Sequence, residues 1–317
     1  ELLRHIGSAD AVPEGDELVA LCDSLCEDYI RRTCGEENVG RLGYLFLRLK
    51  RQVRVFGEAI AREYSQSRFE TYSVELPVGI SAENAEIPSP PAVRFPLAEG
   101  GEVSLHGIID RLDVYRRDGK TFIRVIDYKT GAKNFNLSEV MQGLGTQMLL
   151  YLFALEQEGQ TVIGGKPIAA GVQYFPARAP LMSSDGALTE EEASSLRTKE
   201  WKRKGLLLHD ENVLQAMDPD EDMGRLCCTR KKDGSISGDL ADREQLKLLC
   251  KYVFSWLSGM VDDIASGNVS PNPYTRGTAH SACAYCPYSA VCAETAEAGR
   301  RNYKAMTSQR FWEEVEK

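Results

Sequence analysis

The chain has 317 residues, of which 43% are hydrophobic, which is enough for the packed core of one large domain or two small ones. Its formal net charge of −9 argues against wholesale wrapping by nucleic acid, but it suits a site that binds divalent cations. No run approaches the roughly 18 uncharged apolar residues of a membrane span, which disfavours a membrane protein, and no signal peptide opens the sequence.

The first part of the chain is predicted to be helical. Apolar residues recur at helical spacing within 16–64 and predict two helices, the second with a basic face. Residues 72–80 alternate as a strand does, and a loop that contains Pro and Glu follows to about residue 100. Because the sequence opens with ELLRHIGSAD and has no initiator Met, we expect the chain to be part of a longer polypeptide.

A β-hairpin is the strongest local prediction. Two alternating runs flank Asp118-Gly119, a dipeptide typical of a two-residue hairpin turn. A helix over about 138–158, with Ser138 as its N-cap, and a strand over 169–175 are predicted to follow. Helix, hairpin, helix and strand in this order indicate an α/β fold with helices on the faces of a sheet.

The next region is harder to assign. Residues 177–245 are polar and are predicted to be irregular, and a helix over about 243–266 precedes a Cys-rich tail. The irregular region contains basic side chains that are either phosphate contacts on one side of a DNA groove or a solvated loop: Lys199, Lys202, Arg203 and Lys204.

The hairpin brings two acids and a lysine together. A two-residue turn at Asp118-Gly119 places Asp110 directly opposite Asp127, with their Cβ atoms about 5 Å apart. Lys129 lies two residues beyond Asp127 and therefore projects from the same face. The remainder of that face is apolar and comprises Ile108, Leu112, Ile123 and Val125.

Two carboxylates on an apolar face predict a cation site. They repel each other and lose hydration, so their pKa values rise unless a cation compensates them. Mg²⁺ commonly binds one or two carboxylates together with waters and phosphate oxygens, and Lys129 could activate water or stabilise charge on a phosphate. Opposed acids also occur at exposed edges of hairpins, and a bulged turn would break the register, so both interpretations remain open on these residues alone.

The motifs around these residues resemble a known family. GIIDRLD followed by VIDYKTG is similar to the core signature of the RecB-type branch of the PD-(D/E)XK nucleases. The resemblance implies that Asp110 and Asp127 are metal ligands, that the carbonyl of Tyr128 is a further ligand, and that Lys129 is catalytic. Mg²⁺ or Mn²⁺ would then be the cofactor.

The resemblance extends into the following helix. Gln147 and Tyr151 lie four residues apart, share a helix face, and match a Q-x-x-x-Y pair that faces the active site and the DNA in this family. Gln147, Tyr151 and Arg111 are therefore the predicted substrate-binding residues.

Two other acids lie near these motifs in the sequence. Glu75, on the strand at 72–80, is a possible further acid near the metal or a charge at a strand end. Asp113 points to the opposite face from Asp110 and is predicted to pair with Arg111 or Arg124.

The cysteines indicate a second metal site. The chain has nine, an odd number, and three of them lie close together as Cys283-x2-Cys286-x5-Cys292, which favours a shared metal in a reducing cytosol over disulfides. A zinc knuckle or three ordinary thiols are the alternatives. The AddB subfamily ends its nuclease domain with such a triplet, so the resemblance implies a structural [4Fe–4S] cluster whose fourth Cys lies upstream. Cys22, Cys26 and Cys34 are more simply apolar fillers of a helix than that fourth ligand.

We therefore predict an α/β fold with a mixed central sheet flanked by helices, a restriction-endonuclease-like PD-(D/E)XK core and a C-terminal Cys-rich iron–sulfur segment. Residues 1–70 form the N-terminal helical part, 71–270 the nuclease core with the irregular insertion at about 177–245, and 271–317 the Cys-rich segment, all in one structural domain.

The resemblance to AddB covers nearly the whole chain and implies a Mg²⁺-dependent DNA exonuclease domain of a bacterial cytoplasmic helicase–nuclease. Its partners would be DNA and an AddA-type helicase–nuclease, and its role would be the resection of double-strand breaks for recombinational repair. A non-catalytic DNA-binding scaffold and a stand-alone CRISPR-adaptation-type iron–sulfur exonuclease are the alternatives. If the chain lacks the fourth Cys and an upstream active-site His, we expect weak cluster binding and low activity in isolation.

Overall fold

A six-stranded mixed sheet forms the centre of the computed structural model. Its strands, in spatial order, are β1 (Glu70–Val78), β4 (Gly107–Arg117), β5 (Lys120–Lys129), β6 (Pro167–Pro176), β7 (Lys204–Leu208) and β10 (Leu240–Ala241). The pairs β1/β4, β4/β5 and β6/β7 are antiparallel, and β5/β6 and β7/β10 are parallel. The structure describes residues 1–9, 11–35, 42–80, 88–131, 133–178, 186–189, 191–192, 196, 201–268, 270, 272–276, 280–292 and 300–317.

In the described ranges, short strands form three smaller sheets in addition to the central one. They are β2 (Val93–Pro96), β3 (Glu102–Leu105), β8 (Cys228–Arg230), β9 (Ile236–Gly238), β11 (Tyr274–Arg276), β12 (His280–Ser281) and β13 (Arg301–Asn302). Strand β2 pairs with β3 and β8 with β9, and β11 lies between β12 and β13.

Helices cover both faces of the sheet. They are α1 (Leu2–Ser8), α2 (Gly15–Cys34), α3 (Gly43–Gln66), α4 (Leu137–Val140), α5 (Gln147–Glu158), α6 (Gln160–Ile163), α7 (Glu211–Met217), α8 (Arg243–Ala265) and α9 (Ser308–Val315). On one face, α1 to α3 pack over Ile126 and Phe175. On the other, α5 and α8 enclose the larger apolar core. This arrangement confirms the predicted mixed sheet flanked by helices, and no helix in the described ranges is long and apolar enough to cross a membrane.

Two predictions of local structure were wrong. The helix predicted over 138–158 is interrupted between α4 and α5, because Gly143 and Gly145 adopt positive φ angles that end regular helix. The N-cap of α4 is Asn136, whose side chain accepts a hydrogen bond from the backbone N–H of Ser138. Ser138 is therefore inside the helix rather than its cap.

The region 177–245, predicted to be irregular, contributes to the central sheet. It contains β7 and β10, which extend the sheet beyond β6, and α7, which begins at an Asp210 cap. Strands of five and two residues are too short for period-two alternation to identify them. Cys22 and Cys26 are buried in α2, as predicted for apolar fillers.

Candidate active site

The hairpin has the predicted register. Arg117 pairs with Lys120 across Asp118-Gly119, and the pairing continues to Arg111 opposite Ile126. Asp118 and Gly119 both have positive φ angles of 51° and 72°, as a type I′ turn requires. The pairing ends there, and Asp110 and Asp127 are the next residues of the two strands, close enough for the charge of Asp110 to raise the pKa of Asp127.

The environment of Asp127 is the main electrostatic feature of the site. Its Oδ2 is buried, lies 2.6 Å from Nζ of Lys129, and accepts no hydrogen bond of ordinary geometry from the described part of the chain. Burial raises the pKa of Asp127, and the negative charge of Asp110 raises it further, while Lys129 and Lys133 oppose the shift. Asp110 is held differently, because its Oδ2 accepts a 2.9 Å hydrogen bond from the backbone N–H of Tyr128.

These two carboxylates fit a divalent cation. A buried carboxylate oxygen that lies close to a second carboxylate, and that has a single lysine ammonium beside it, is the kind of ligand that a divalent cation would bind. Among the described residues, no group of three or more His, Cys, Asp or Glu side chains is arranged to hold a metal. Mg²⁺ commonly binds through one or two carboxylates and keeps its other coordination positions for water and phosphate oxygens, which suits a pair such as Asp110 and Asp127.

The predicted pair on α5 also reaches this site. Gln147 is the first residue of α5, and its Nε2 donates a 3.3 Å hydrogen bond to the hydroxyl of Tyr151. The Tyr151 ring lies directly over Gly107, three residues before Asp110, because a Cβ at Gly107 would stand 1.9 Å from the Tyr151 hydroxyl oxygen. The absence of a side chain at position 107 thus lets the helix pair approach the strand that carries Asp110.

We expect Gly107→Ala to destabilise the protein by about 1–3 kcal/mol, because the new methyl group must displace the Tyr151 ring. Urea unfolding would measure this cost. In a Tyr151→Ala background the same substitution should cost far less, so the two changes should be strongly non-additive. Gly43→Ala is the control, because a Cβ there meets nothing within 4 Å. Equal costs of Gly107→Ala in both backgrounds would contradict the contact.

Arg111 is not placed for substrate, so the prediction that it binds DNA was wrong. It is 1% exposed and projects to the opposite face of the sheet from Asp110. There its guanidinium pairs with Asp113 at 2.6 Å and with Glu63 at 3.2 Å, and it donates a 3.0 Å hydrogen bond to the hydroxyl of Tyr128. The predicted partnership of Asp113 with Arg111 and Arg124 is confirmed.

A buried ion network therefore lies behind the active site. Glu63 on α3 accepts from Arg124 at 2.6 Å and from Arg203 at 2.9 Å, in addition to Arg111. Arg203 is buried and turned inward, so it is not the phosphate contact considered from the sequence, and Lys199 lies outside the described residues. The network joins α3, β4, β5 and the start of β7, and it fixes the rear face of the two strands that carry the acids.

Glu75 does not join the site through any contact in the described structure. It lies on β1 at the register position beside Asp110, since its neighbours Val74 and Leu76 pair with Arg111 and Ile109. Its φ of 57° interrupts the alternation of the strand, and its exposed carboxylate pairs with Arg4 at 2.9 Å.

Tyr174 is a residue of the site that sequence reasoning missed. It lies opposite Asp127 in the parallel β5/β6 ladder and is 6% exposed. Burial, together with the charge of Asp127, raises the pKa of Tyr174 to about 12, so the hydroxyl stays neutral at physiological pH. Only the register of β6 against β5 places it there, and a parallel register depends on a long crossover that no local sequence signal encodes.

The Cys-rich tail is only partly described. Cys283 and Cys286 are half-buried around a short 3-10 turn at Ala282–Tyr285, and Cys292 is exposed. Three thiolates do not by themselves complete a four-ligand cluster site. The predicted iron–sulfur cluster therefore stays a prediction, and no chemistry of the site depends on it.

Comparison with known proteins agrees with this geometry. A family model described as the PD-(D/E)XK nuclease superfamily matches residues 1–293. The chain is 37% identical over 253 residues, 78% of its length, to a component of the ATP-dependent helicase/deoxyribonuclease of Acetivibrio thermocellus. It is 30% identical over 311 residues, 93% of its length, to the protein of the same name from Clostridium acetobutylicum. The alignments cover 21% and 26% of those relatives, so the chain spans about a quarter of their length.

Proposed function

Because the chain belongs to the PD-(D/E)XK nuclease superfamily, we propose that it hydrolyses DNA phosphodiesters with a divalent cation, Mg²⁺ or Mn²⁺, held by Asp110 and Asp127. One observation carries the proposal. The buried Oδ2 of Asp127 has a lysine ammonium at 2.6 Å but no hydrogen bond of ordinary geometry from the described residues. Burial and the nearby charge of Asp110 nevertheless raise the pKa of Asp127, so its negative charge is incompletely compensated, which a divalent cation would correct.

Each residue of the site then has a task. The bound cation would polarise the scissile phosphate and lower the pKa of the attacking water. Asp110 and Asp127 bind the cation, with the carbonyl of Tyr128 as the proposed third protein ligand. With the negative charge of Asp127 neutralised by the cation, Lys129 would no longer be needed as its ion-pair partner. It would then stabilise the negative charge that develops on the phosphate oxygens as the P–O bond to the leaving group breaks. Gln147 and Tyr151, at the start of α5, orient the substrate strand.

The biological setting follows from the relatives. The curated relatives are named as a component of an ATP-dependent helicase/deoxyribonuclease. We propose that this chain likewise is the nuclease domain of an AddAB-type bacterial cytoplasmic enzyme, acts as an exonuclease on DNA delivered by an AddA-type partner, and serves end resection in recombinational repair. Cys283, Cys286 and Cys292 would hold a structural [4Fe–4S] cluster if a further Cys completes the ligand set.

The experiment is a cleavage assay of the full-length polypeptide on end-labelled linear DNA with Mg²⁺, with and without EDTA. We expect release of nucleotides that stops in EDTA and returns when Mg²⁺ is restored. Binding of Mn²⁺, followed by its paramagnetic resonance signal, provides a readout that is independent of activity. Cleavage that persists in EDTA, or DNA binding without any Mg²⁺-dependent cleavage, would contradict the proposal, and the second outcome would favour a DNA-binding scaffold.

A further inference from the structure

A second lysine lies at the active site and has no role in the chemistry described above. Lys133 follows β5 by four residues, in the segment that leads to α4. It comes close to Asp127 through Tyr174, because its ammonium faces the ring of the residue that pairs with Asp127 in the β5/β6 ladder. No carboxylate of the described residues lies within 4.0 Å of its ammonium, whereas Lys129 is paired with Asp127 at 2.6 Å.

Neighbouring groups hold Lys133 in place. Its Nζ lies 5.9 Å from the centre of the Tyr174 ring, within the range of a cation–π contact. Tyr174 is buried and stands beside Asp127 in the sheet, so its ring is a fixed platform. The backbone of Gly145 is also near, since a Cβ there would be 4.0 Å from both Lys133 Nζ and Tyr174 Oη. The ammonium of Lys133 therefore lies beside Tyr174, the ladder partner of Asp127, and near Gly145, two residues before α5 begins at Gln147.

An ammonium that forms no ion pair with the described residues fits a phosphate in this position. Aromatic contact orients a cation without neutralising it, so the ammonium of Lys133 stays available to an anionic ligand. The carboxylates repel an anionic strand until a cation binds, and a lysine beside them offsets part of that repulsion. Lysine is a compact, flexible point charge and suits contact with a single backbone oxygen, whereas arginine favours bidentate contact.

We infer that Lys133 binds a non-bridging oxygen of the DNA phosphate next to the one that is cut, and thereby positions the scissile phosphate at Asp110 and Asp127. This inference rests on the proposed nuclease function and adds a binding contact to it. Lys133 is a positioning residue and not a catalytic one. Its removal should therefore weaken substrate binding more than it slows the chemical step.

The test compares Lys133→Gln and Lys133→Arg with Lys120→Gln, in the full-length polypeptide, on a single-stranded oligonucleotide at several salt concentrations. Lys120 is the matched control, because it is an exposed lysine at the start of β5, at the opposite end of that strand from Lys133. For Lys133→Gln we expect KM to rise about 5–10-fold with kcat changed less than about 2-fold, and the slope of log KM against log salt to fall by about 0.7, the loss of one phosphate contact. Lys133→Arg should retain most of the affinity and the slope, and Lys120→Gln should resemble the wild type.

A parallel measurement separates this inference from the proposed function. Equilibrium binding of the same oligonucleotide with Ca²⁺ in place of Mg²⁺ needs no cleavage. A weaker affinity and a reduced salt slope in Lys133→Gln support the phosphate contact even if the wild type fails to cut DNA, which would refute only the nuclease. Unchanged affinity and slope, or a fall in kcat with unchanged KM, overturn the inference even if the wild type is an active nuclease. A melting temperature close to that of the wild type shows that the variant is folded.

Discussion

Asp127→Asn is expected to lower the rate of DNA cleavage by about 10³-fold, equivalent to roughly 4 kcal/mol of transition-state stabilisation. The substitution keeps the shape of the side chain but removes the charge that would bind a divalent cation. It leaves Asp110 as the remaining carboxylate of the predicted pair, and Lys129 loses its ion-pair partner. Steady-state cleavage of end-labelled DNA in Mg²⁺ would measure the loss.

The same variant should not be less stable than the wild type. Burial raises the pKa of Asp127, so the folded protein favours the protonated acid and its ionised form costs stability at neutral pH. A neutral amide removes that cost. The lost ion pair with Lys129 contributes little, because the lysine side chain is 39% exposed. Loss of activity together with an unchanged or higher melting temperature is therefore the expected signature of a functional carboxylate.

A control and a second readout make the result decisive. Asp118→Asn changes an exposed acid in the turn of the same hairpin, where Asn tolerates the positive φ equally well, and it should leave activity intact. Mg²⁺ at 100 times its Kd should stabilise the wild type by about 2.7 kcal/mol and should have a much smaller effect on Asp127→Asn. If Asp127→Asn retains near-normal activity, or if Mg²⁺ stabilises both proteins equally, Asp127 is not a metal ligand.

The hairpin could be predicted because its determinants are local. A two-residue turn at Asp118-Gly119 fixes the register, and strict alternation then fixes which side chains share a face. The same alternation separated Asp110 from Asp113 and assigned the latter correctly to a structural partner. The i, i+4 spacing of Gln147 and Tyr151 is likewise a property of one helix.

What the sequence could not predict depends on contacts between distant segments. Arg111 stands beside Asp110 in a nuclease-like motif, yet alternation turns it toward Glu63, which is 48 residues away along the chain. Arg203 is still more remote from Glu63, at a separation of 140 residues, and in the sequence it belongs to a basic run typical of a solvated loop. Tyr174 reaches the site only through the parallel register of β6. Each of these placements requires the tertiary fold.

Glu63→Gln is expected to lower the free energy of unfolding by about 3–5 kcal/mol, the cost of removing one member of a buried ion cluster. Glu63 is 2% exposed and binds Arg111, Arg124 and Arg203. After the substitution, Asp113 has to balance these buried guanidinium groups without a second carboxylate from α3. Urea unfolding at neutral pH would measure the loss. Glu58→Gln, on the exposed side of the same helix, should have little effect.

The pH dependence of stability gives a second test of the same network. Glu63 has a pKa far below its usual value of 4.5, because the charges of Arg111, Arg203 and Arg124 outweigh the effect of burial. The folded state therefore keeps Glu63 ionised while the unfolded state binds a proton, so this contribution is present above about pH 4.5 and is lost as the pH falls. Below that pH the wild type should lose up to about 1.4 kcal/mol per pH unit through this residue, and Glu63→Gln should lack that part of the slope.

The double variant Glu63→Gln, Arg203→Met distinguishes a charge effect from a packing effect. Arg203 is the guanidinium that depends most on Glu63, since it pairs with that carboxylate and burial lowers its pKa. In Glu63→Gln, Arg203 is a buried charge that has lost its carboxylate partner. Replacing it with an apolar side chain of similar length removes that charge, so the double variant should recover part of the stability that Glu63→Gln loses. If the two losses simply add, the cost at position 63 comes from packing, and the network does not act as an electrostatic unit behind the active site.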